Sequence, residues 1–168
     1  MKRLVPLLIR DCRANAAVEM ALVAPLLIIL MLGAVDLGNY FLSEHVVDKA
    51  VRDAARYAAR LPVSDYPSCS SVDSTAQTQI QRLARTGDPS GTTARLSGWT
   101  SDTMTTVSVA CDNTSSYGTA GIYTDFPNGA PVVTVSATVP YSTLFGSIGL
   151  GSATLNLNAQ NQAAVIGA

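Results

Sequence analysis

The sequence predicts an α+β chain in which a long N-terminal transmembrane helix continues into an exported domain with a three- to four-stranded antiparallel sheet. Three observations predict it. Residues 20–35 are uncharged and almost all apolar. A stripe of small apolar residues then continues at helical spacing, and three later segments alternate apolar with polar residues. The length of 168 residues suits one domain plus a tether.

The apolar stretch from Met20 to Val35 lies between two acidic residues, Glu19 and Asp36. Its residues span about 24 Å as a helix, a little less than the ~30 Å hydrocarbon core of a bilayer. Extending the helix over 16–42 gives ample length and places both carboxylates near the two interfaces. Pro25 inside the run is either a harmless kink or a functional one. A buried core helix is the alternative, although such apolar runs are usually shorter.

Basic residues precede the apolar stretch and predict its orientation. They are Lys2, Arg3, Arg10 and Arg13. The positive-inside rule then keeps the N-terminus in the cytoplasm and exports the remainder. A cleaved signal peptide ending near Leu32-Gly33-Ala34 is the alternative. Its charged region would be unusually long, and Glu19 would interrupt the start of its apolar region.

The three cysteines lie on both sides of the predicted span. Cys12 precedes it, whereas Cys69 and Cys111 follow it. If the membrane divides them, Cys12 stays in a reducing compartment and the later two can oxidise. The sequence therefore predicts a Cys69–Cys111 disulfide, and a pair of buried free thiols remains the alternative.

Beyond the span, the helix is predicted to continue to Leu61, because the residue before Pro62 is pushed away from helical geometry. Apolar residues recur along it at three- and four-residue spacing: Val47, Ala50, Val51, Ala54, Ala58 and Leu61. A second helix is expected from Thr75 to Arg85, with Ser74 as its cap. The long stripe is the expected cover for one face of the sheet.

Strands are predicted over residues 103–111, 132–141 and 153–163, where apolar and polar residues alternate. This alternation is typical of half-buried strands, which are usually antiparallel. Residues 112–130, rich in Gly and Asn, are expected to form a long surface loop.

Few residues suggest chemistry. The chain has one histidine, His45, and contains neither a Gly-rich phosphate loop nor a nucleophile elbow. Its cysteines do not follow the spacing of a metal site. A net charge of −1 gives no reason to expect nucleic acid. We therefore expect a non-enzymatic protein with no catalytic residue, no metal and no cofactor.

The segment RDCRANAAVEMALVAPLL, residues 10–27, resembles the opening of TadE-like proteins, the pseudopilins of the tight-adherence (Flp-type) pilus system. In that family a basic leader precedes a prepilin-peptidase site, and a glutamate follows five residues into the mature chain. The resemblance implies cleavage after Ala14, a mature start at Asn15 and Glu19 as that glutamate. Ala14 stands where the family more often has Gly, and Met20 where it has an aromatic residue.

The resemblance implies three regions: a basic cytoplasmic leader, 1–14; the transmembrane helix with its exported extension, 15–61; and an exported pilin-like α+β domain, 62–168. It implies a minor pseudopilin-like role in pilus assembly or secretion, with Glu19, Pro25 and Asp36 in helix assembly. The expected partners are the inner membrane, other pilins or pseudopilins, the assembly platform and a prepilin peptidase. A membrane-tethered extracytoplasmic binding module and a structural filament subunit are the alternatives.

Overall fold

The computed structural model describes residues 12–114, 119–124, 128–147 and 155–167. The α+β class is confirmed: a long N-terminal helix is followed by a three-stranded antiparallel sheet. The helices are α1 (Cys12–Ala58), α2 (Ser74–Thr86) and α3 (Leu144–Ser147), and the strands are β1 (Thr105–Asp112), β2 (Ala130–Tyr141) and β3 (Leu155–Ala164). Most of the predicted leader, residues 1–11, lies outside the described residues.

Helix α1 runs without interruption through both the apolar stretch and the predicted extension. Its 47 residues correspond to about 70 Å of helix, and Pro25 lies within it. The helix ends at Ala58, three residues before the predicted Leu61, because the chain tightens into a turn closed by the Leu61 N–H to Ala58 carbonyl bond of 3.1 Å. Pro62 then leads into a short 3₁₀ turn, Val63–Asp65.

The C-terminal half of α1 supplies the centre of the core, as its apolar stripe predicted. Six of its side chains are fully buried: Val47, Ala50, Val51, Ala54, Ala55 and Ala58. The stripe packs against β2 and β3, and α2 packs against α1 and β1. Because most of these side chains are small, the helix lies close to the sheet.

Strand β2 is the central strand, with β1 and β3 antiparallel on its two sides. Apolar residues of β1 and β2 face the helices and are buried, as expected: Val107, Val109, Val133, Val135, Ala137 and Val139. In β3 the prediction holds only in part, because Leu157 is buried whereas Leu155 is 45% exposed. We call the sheet, α2 and the packed half of α1 the body.

Helix α2 begins one residue earlier than expected, and its cap is Asp73, so the prediction of Ser74 was wrong. The Asp73 carboxylate accepts backbone hydrogen bonds from Thr75 (2.8 Å) and Ala76 (3.3 Å). These bonds hold the pKa of Asp73 below its usual value. Ile80 and Ala84 of α2 are fully buried beside Trp99, which lies in the connection to β1.

Candidate functional site

The N-terminal half of α1 exposes an apolar surface. Among the described residues, Ala16–Ala58 is the one helical segment long and apolar enough to cross a membrane, and its most apolar window is not buried within the protein. Most large apolar side chains from Val18 to Leu42 are 41–74% exposed, whereas Leu32 is partly buried. A core helix would bury these side chains within the protein. The exposed surface is suited instead to contact with an apolar environment such as lipid. A signal sequence would have the same composition.

The predicted processing residues lie at the start of this helix. Ala14 and Asn15 are part of α1, and Glu19 is exposed one residue before the apolar run begins. Pro25 is also exposed, within the apolar surface. Glu19 and Asp36 are thus separated by most of the span.

Asp36 is held by a residue far away in sequence. Its side chain is only 8% exposed, and its Oδ1 accepts a hydrogen bond from the Tyr141 hydroxyl at 2.9 Å. The same hydroxyl lies 3.1 Å from the Asp36 carbonyl and accepts a bond from the Asn39 amide at 3.0 Å. This network ties the end of β2 to the middle of α1.

Apolar groups surround the Asp36–Tyr141 network. The Tyr40 ring meets the Tyr141 ring edge to face, with centroids 5.3 Å apart. An open groove of about 360 Å³ extends past Asp36 to Leu37 and Leu155, at the start of β3. Nearer the N-terminus of α1, the Phe145 ring of α3 faces Gly33, where a Cβ would come 3.9 Å from the ring. We call Tyr141, Phe145 and Leu155 the tip of the body.

Sequence reasoning placed Asp36 at a membrane interface and missed the tip. Tyr141 was noticed only as the end of a predicted strand, and Phe145 was not considered. The available signal was weak: after Asp125 the chain contains no charged residue, so its apolar side chains lie in an uncharged C-terminal stretch. That pattern alone does not say which helix they contact.

At the opposite end of the body, Cys69 and Cys111 are joined by a disulfide. Their Cα atoms are 5.1 Å apart and 42 positions apart in sequence. The bond links the loop before α2 to the end of β1. The enclosed chain contains all of α2 and the connection that carries Trp99, so the bond restrains about a quarter of the molecule.

Tyr66 closes the C-terminal end of α1. Its hydroxyl donates a 2.6 Å hydrogen bond to the Ala58 carbonyl at the end of the helix, which also accepts from the Leu61 N–H. Burial, followed by the charge of Asp65 and then Tyr57, raises the pKa of Tyr66 to about 12. The hydroxyl therefore remains a donor at all physiological pH values.

Within the part of the chain that the structure describes, no three His, Cys, Asp or Glu side chains form a group that could hold a metal ion. His45 is exposed on α1. The acidic residue that the fold does bury, Asp36, is engaged in joining α1 to β2.

A comparison with protein families connects the apolar helix to a known group. The model of the family described as TadE-like protein matches residues 15–56, a quarter of the chain. The matched segment begins at the predicted mature start and ends inside the body, and it contains Glu19, Pro25 and Asp36. No curated protein and no solved structure was found to match the chain.

Proposed function

We propose that this protein is a non-enzymatic, minor pseudopilin-like component of a tight-adherence pilus system, anchored in the bacterial inner membrane by α1. The proposal rests on the agreement between the segment that matches the family and the segment that has an exposed apolar surface. The segment matched by the TadE-like model, residues 15–56, is the segment that exposes an apolar helix and then enters the core. A tether of this kind suits a subunit that is inserted in a membrane and recruited into an assembly there.

In this proposal the chain has three functional regions. Residues 1–14 form a cytoplasmic leader removed by a prepilin peptidase between Ala14 and Asn15. Residues 15–61 form the membrane helix and its extension, and residues 62–168 form the exported domain. The basic residues before the span support this orientation through the positive-inside rule.

Glu19 is the residue to which the proposal assigns helix assembly. A carboxylate in the centre of a bilayer costs roughly 2.5–3.5 kcal/mol on insertion scales, and less near the interface. When a neighbouring pilin covers this exposed residue, a positive partner must offset its desolvation. The free amino terminus of a processed neighbouring subunit is such a partner, and the pairing would select one register of helix against helix.

The test is surface piliation in a strain whose only copy of the gene carries Glu19→Gln. This change keeps the side-chain volume and removes the charge, so we expect normal membrane abundance with loss of piliation. Glu19→Asp should be intermediate, because the charge remains but its reach is shorter. The matched control is Glu44→Gln, which alters the chain's other glutamate beyond the apolar run. Normal piliation with Glu19→Gln at normal abundance would contradict the assigned role.

Topology has a separate test. Protease added to intact spheroplasts should digest the region after Leu61, because the proposal places it outside the cytoplasm. Protection of that region would reverse the orientation. Purified filaments then distinguish a minor component, which would be sparse in them, from a major subunit that dominates their mass and from a receptor that is absent.

A further inference from the structure

The exposed apolar surface of α1 continues past Asp36. Leu37, Phe41 and Leu42 are 56%, 51% and 67% exposed, and the next charged residue after Asp36 is Glu44. From Met20 to Leu42 this mainly apolar surface, in which Asn39 is an exposed polar residue, is about 35 Å long at 1.5 Å per residue. This covers the whole ~30 Å hydrocarbon core of a bilayer and more. A membrane boundary at Asp36 would leave these three side chains in water, so the boundary lies closer to Leu42.

The tip of the body lies beside this same part of α1. Tyr141 reaches Asp36, Leu155 lines the groove with Leu37, and the Phe145 ring faces Gly33. Gly33 lies nine residues before Leu42, which is about 13 Å along a helix axis. With the boundary near Leu42, Phe145 is therefore at the depth of the lipid acyl chains.

The chemistry of the tip fits that depth. Tyr141 of the tip and Asp36 of α1 are 8% exposed each, and their polar side-chain groups are hydrogen-bonded to one another. Polar groups inside a membrane are expected to be paired in this way, because lipid offers them no hydrogen bonds. Leu155 presents 45% of its surface outward, and no charged residue follows Asp125 in the chain.

We propose that the tip of the body is seated in the outer leaflet of the membrane, with Phe145 and Leu155 in contact with lipid acyl chains. The exported domain therefore rests in the bilayer instead of standing above it on a free helical stalk. The inference depends on the membrane span assigned under the proposed function. It adds a second lipid-binding surface, contributed by residues more than 100 positions away from the span.

The experiment compares three single-cysteine positions in the full-length chain, in a Cys12→Ser background with the Cys69–Cys111 bond intact. Leu155→Cys reports the tip, Leu30→Cys reports the span, and Ser64→Cys reports the far end of the body. Each cysteine is labelled with the fluorophore NBD. The proteins are reconstituted at low density in phosphatidylethanolamine–phosphatidylglycerol vesicles that contain a lipid with a nitroxide on its acyl chain.

Because contact quenching requires the fluorophore to lie among acyl chains, the label at position 155 should be quenched at least about threefold more than the label at 64. Phe145→Cys should give the same result, and Trp99 fluorescence verifies that each variant is folded. If the label at 155 is quenched no more than the label at 64 while the label at 30 is quenched, the proposal that the tip lies in lipid is wrong and the membrane span is supported. If position 30 is also unquenched, the membrane span itself fails.

A label at 155 that is shielded from both the nitroxide lipid and aqueous iodide would also overturn the proposal, because another protein surface would then cover the tip. In that case the shielding should depend on protein density in the vesicle. Seating in lipid predicts quenching that is unchanged when the protein is diluted further.

Discussion

Replacing Tyr141 by Phe isolates the bond that joins the end of β2 to α1. The substitution removes one oxygen and leaves the buried ring in place against Tyr40, so it creates almost no cavity. It removes the 2.9 Å hydrogen bond to the Asp36 carboxyl and the acceptor for Asn39. Loss of a hydrogen bond to a buried carboxyl acceptor costs about 1–3 kcal/mol. The Asn39 amide loses its acceptor in the same substitution, which adds to the cost.

The matched control is Tyr40→Phe. The Tyr40 hydroxyl is exposed and, among the described residues, reaches the Asn156 carbonyl at a long 3.5 Å, so its removal should cost less than about 0.5 kcal/mol. Both variants are unfolded by urea as full chains in detergent micelles. The single tryptophan, Trp99, is fully buried and reports the unfolding of the body.

We expect the urea midpoint to fall for Tyr141→Phe at constant slope, because the surface exposed on unfolding does not change. Equal midpoints for the two variants would refute the reasoning, since the buried and the exposed hydroxyl would then contribute alike. A lower slope for Tyr141→Phe would instead show that the tip separates from α1 before the body unfolds.

Two further predictions concern the opposite end of the body. Unreduced protein should show no alkylatable thiol at Cys69 or Cys111 by intact-mass analysis, and two reactive thiols would contradict the bond. Replacing both cysteines by Ser should lower the free energy of unfolding by about 4 kcal/mol for a loop of this length. Tyr66→Phe should cost about 1 kcal/mol near neutral pH through loss of the bond to Ala58. Folding raises the Tyr66 pKa from 10 to about 12. The stabilisation contributed by the Tyr66 hydroxyl is therefore complete below pH 10 and is lost as pH rises through 12. The difference in unfolding free energy between wild type and Tyr66→Phe, measured by urea titration, should shrink over that interval.

Local pattern was sufficient to predict the main elements of the fold. The stripe from Val47 to Ala58 was recognisable because three- and four-residue spacing places its members on one side of a helix. The inward faces of β1 and β2 followed from strict alternation, as at Val133 and Val135. In α2 the cap was misplaced by one residue because Asp73 and Ser74 are both good caps, and their order depends on backbone geometry.

Contacts between distant residues could not be predicted in this way. Asp36 and Tyr141 are 105 positions apart, and neither neighbourhood carries a signal for the other. Asp36 was expected at an interface because the apolar run stops there in sequence. The apolar surface continues past it, however, and a partner from β2 turns the carboxyl away from the exposed face. One-dimensional hydropathy does not distinguish a charge that ends a span from one that faces the protein.

The geometry of α1 places the two acidic residues on different sides of the helix. Glu19 and Asp36 are 17 residues apart, which in a regular helix is about 25 Å of rise and about 100° of rotation. The body occupies the side of Asp36, so it leaves the side of Glu19 open to another helix. Because α1 runs unbroken from one residue to the other, a register selected at Glu19 also fixes the direction in which the body faces. Under this arrangement Glu19→Gln should abolish assembly without lowering the urea midpoint of the body, whereas Tyr141→Phe should lower the midpoint and leave helix pairing at Glu19 intact.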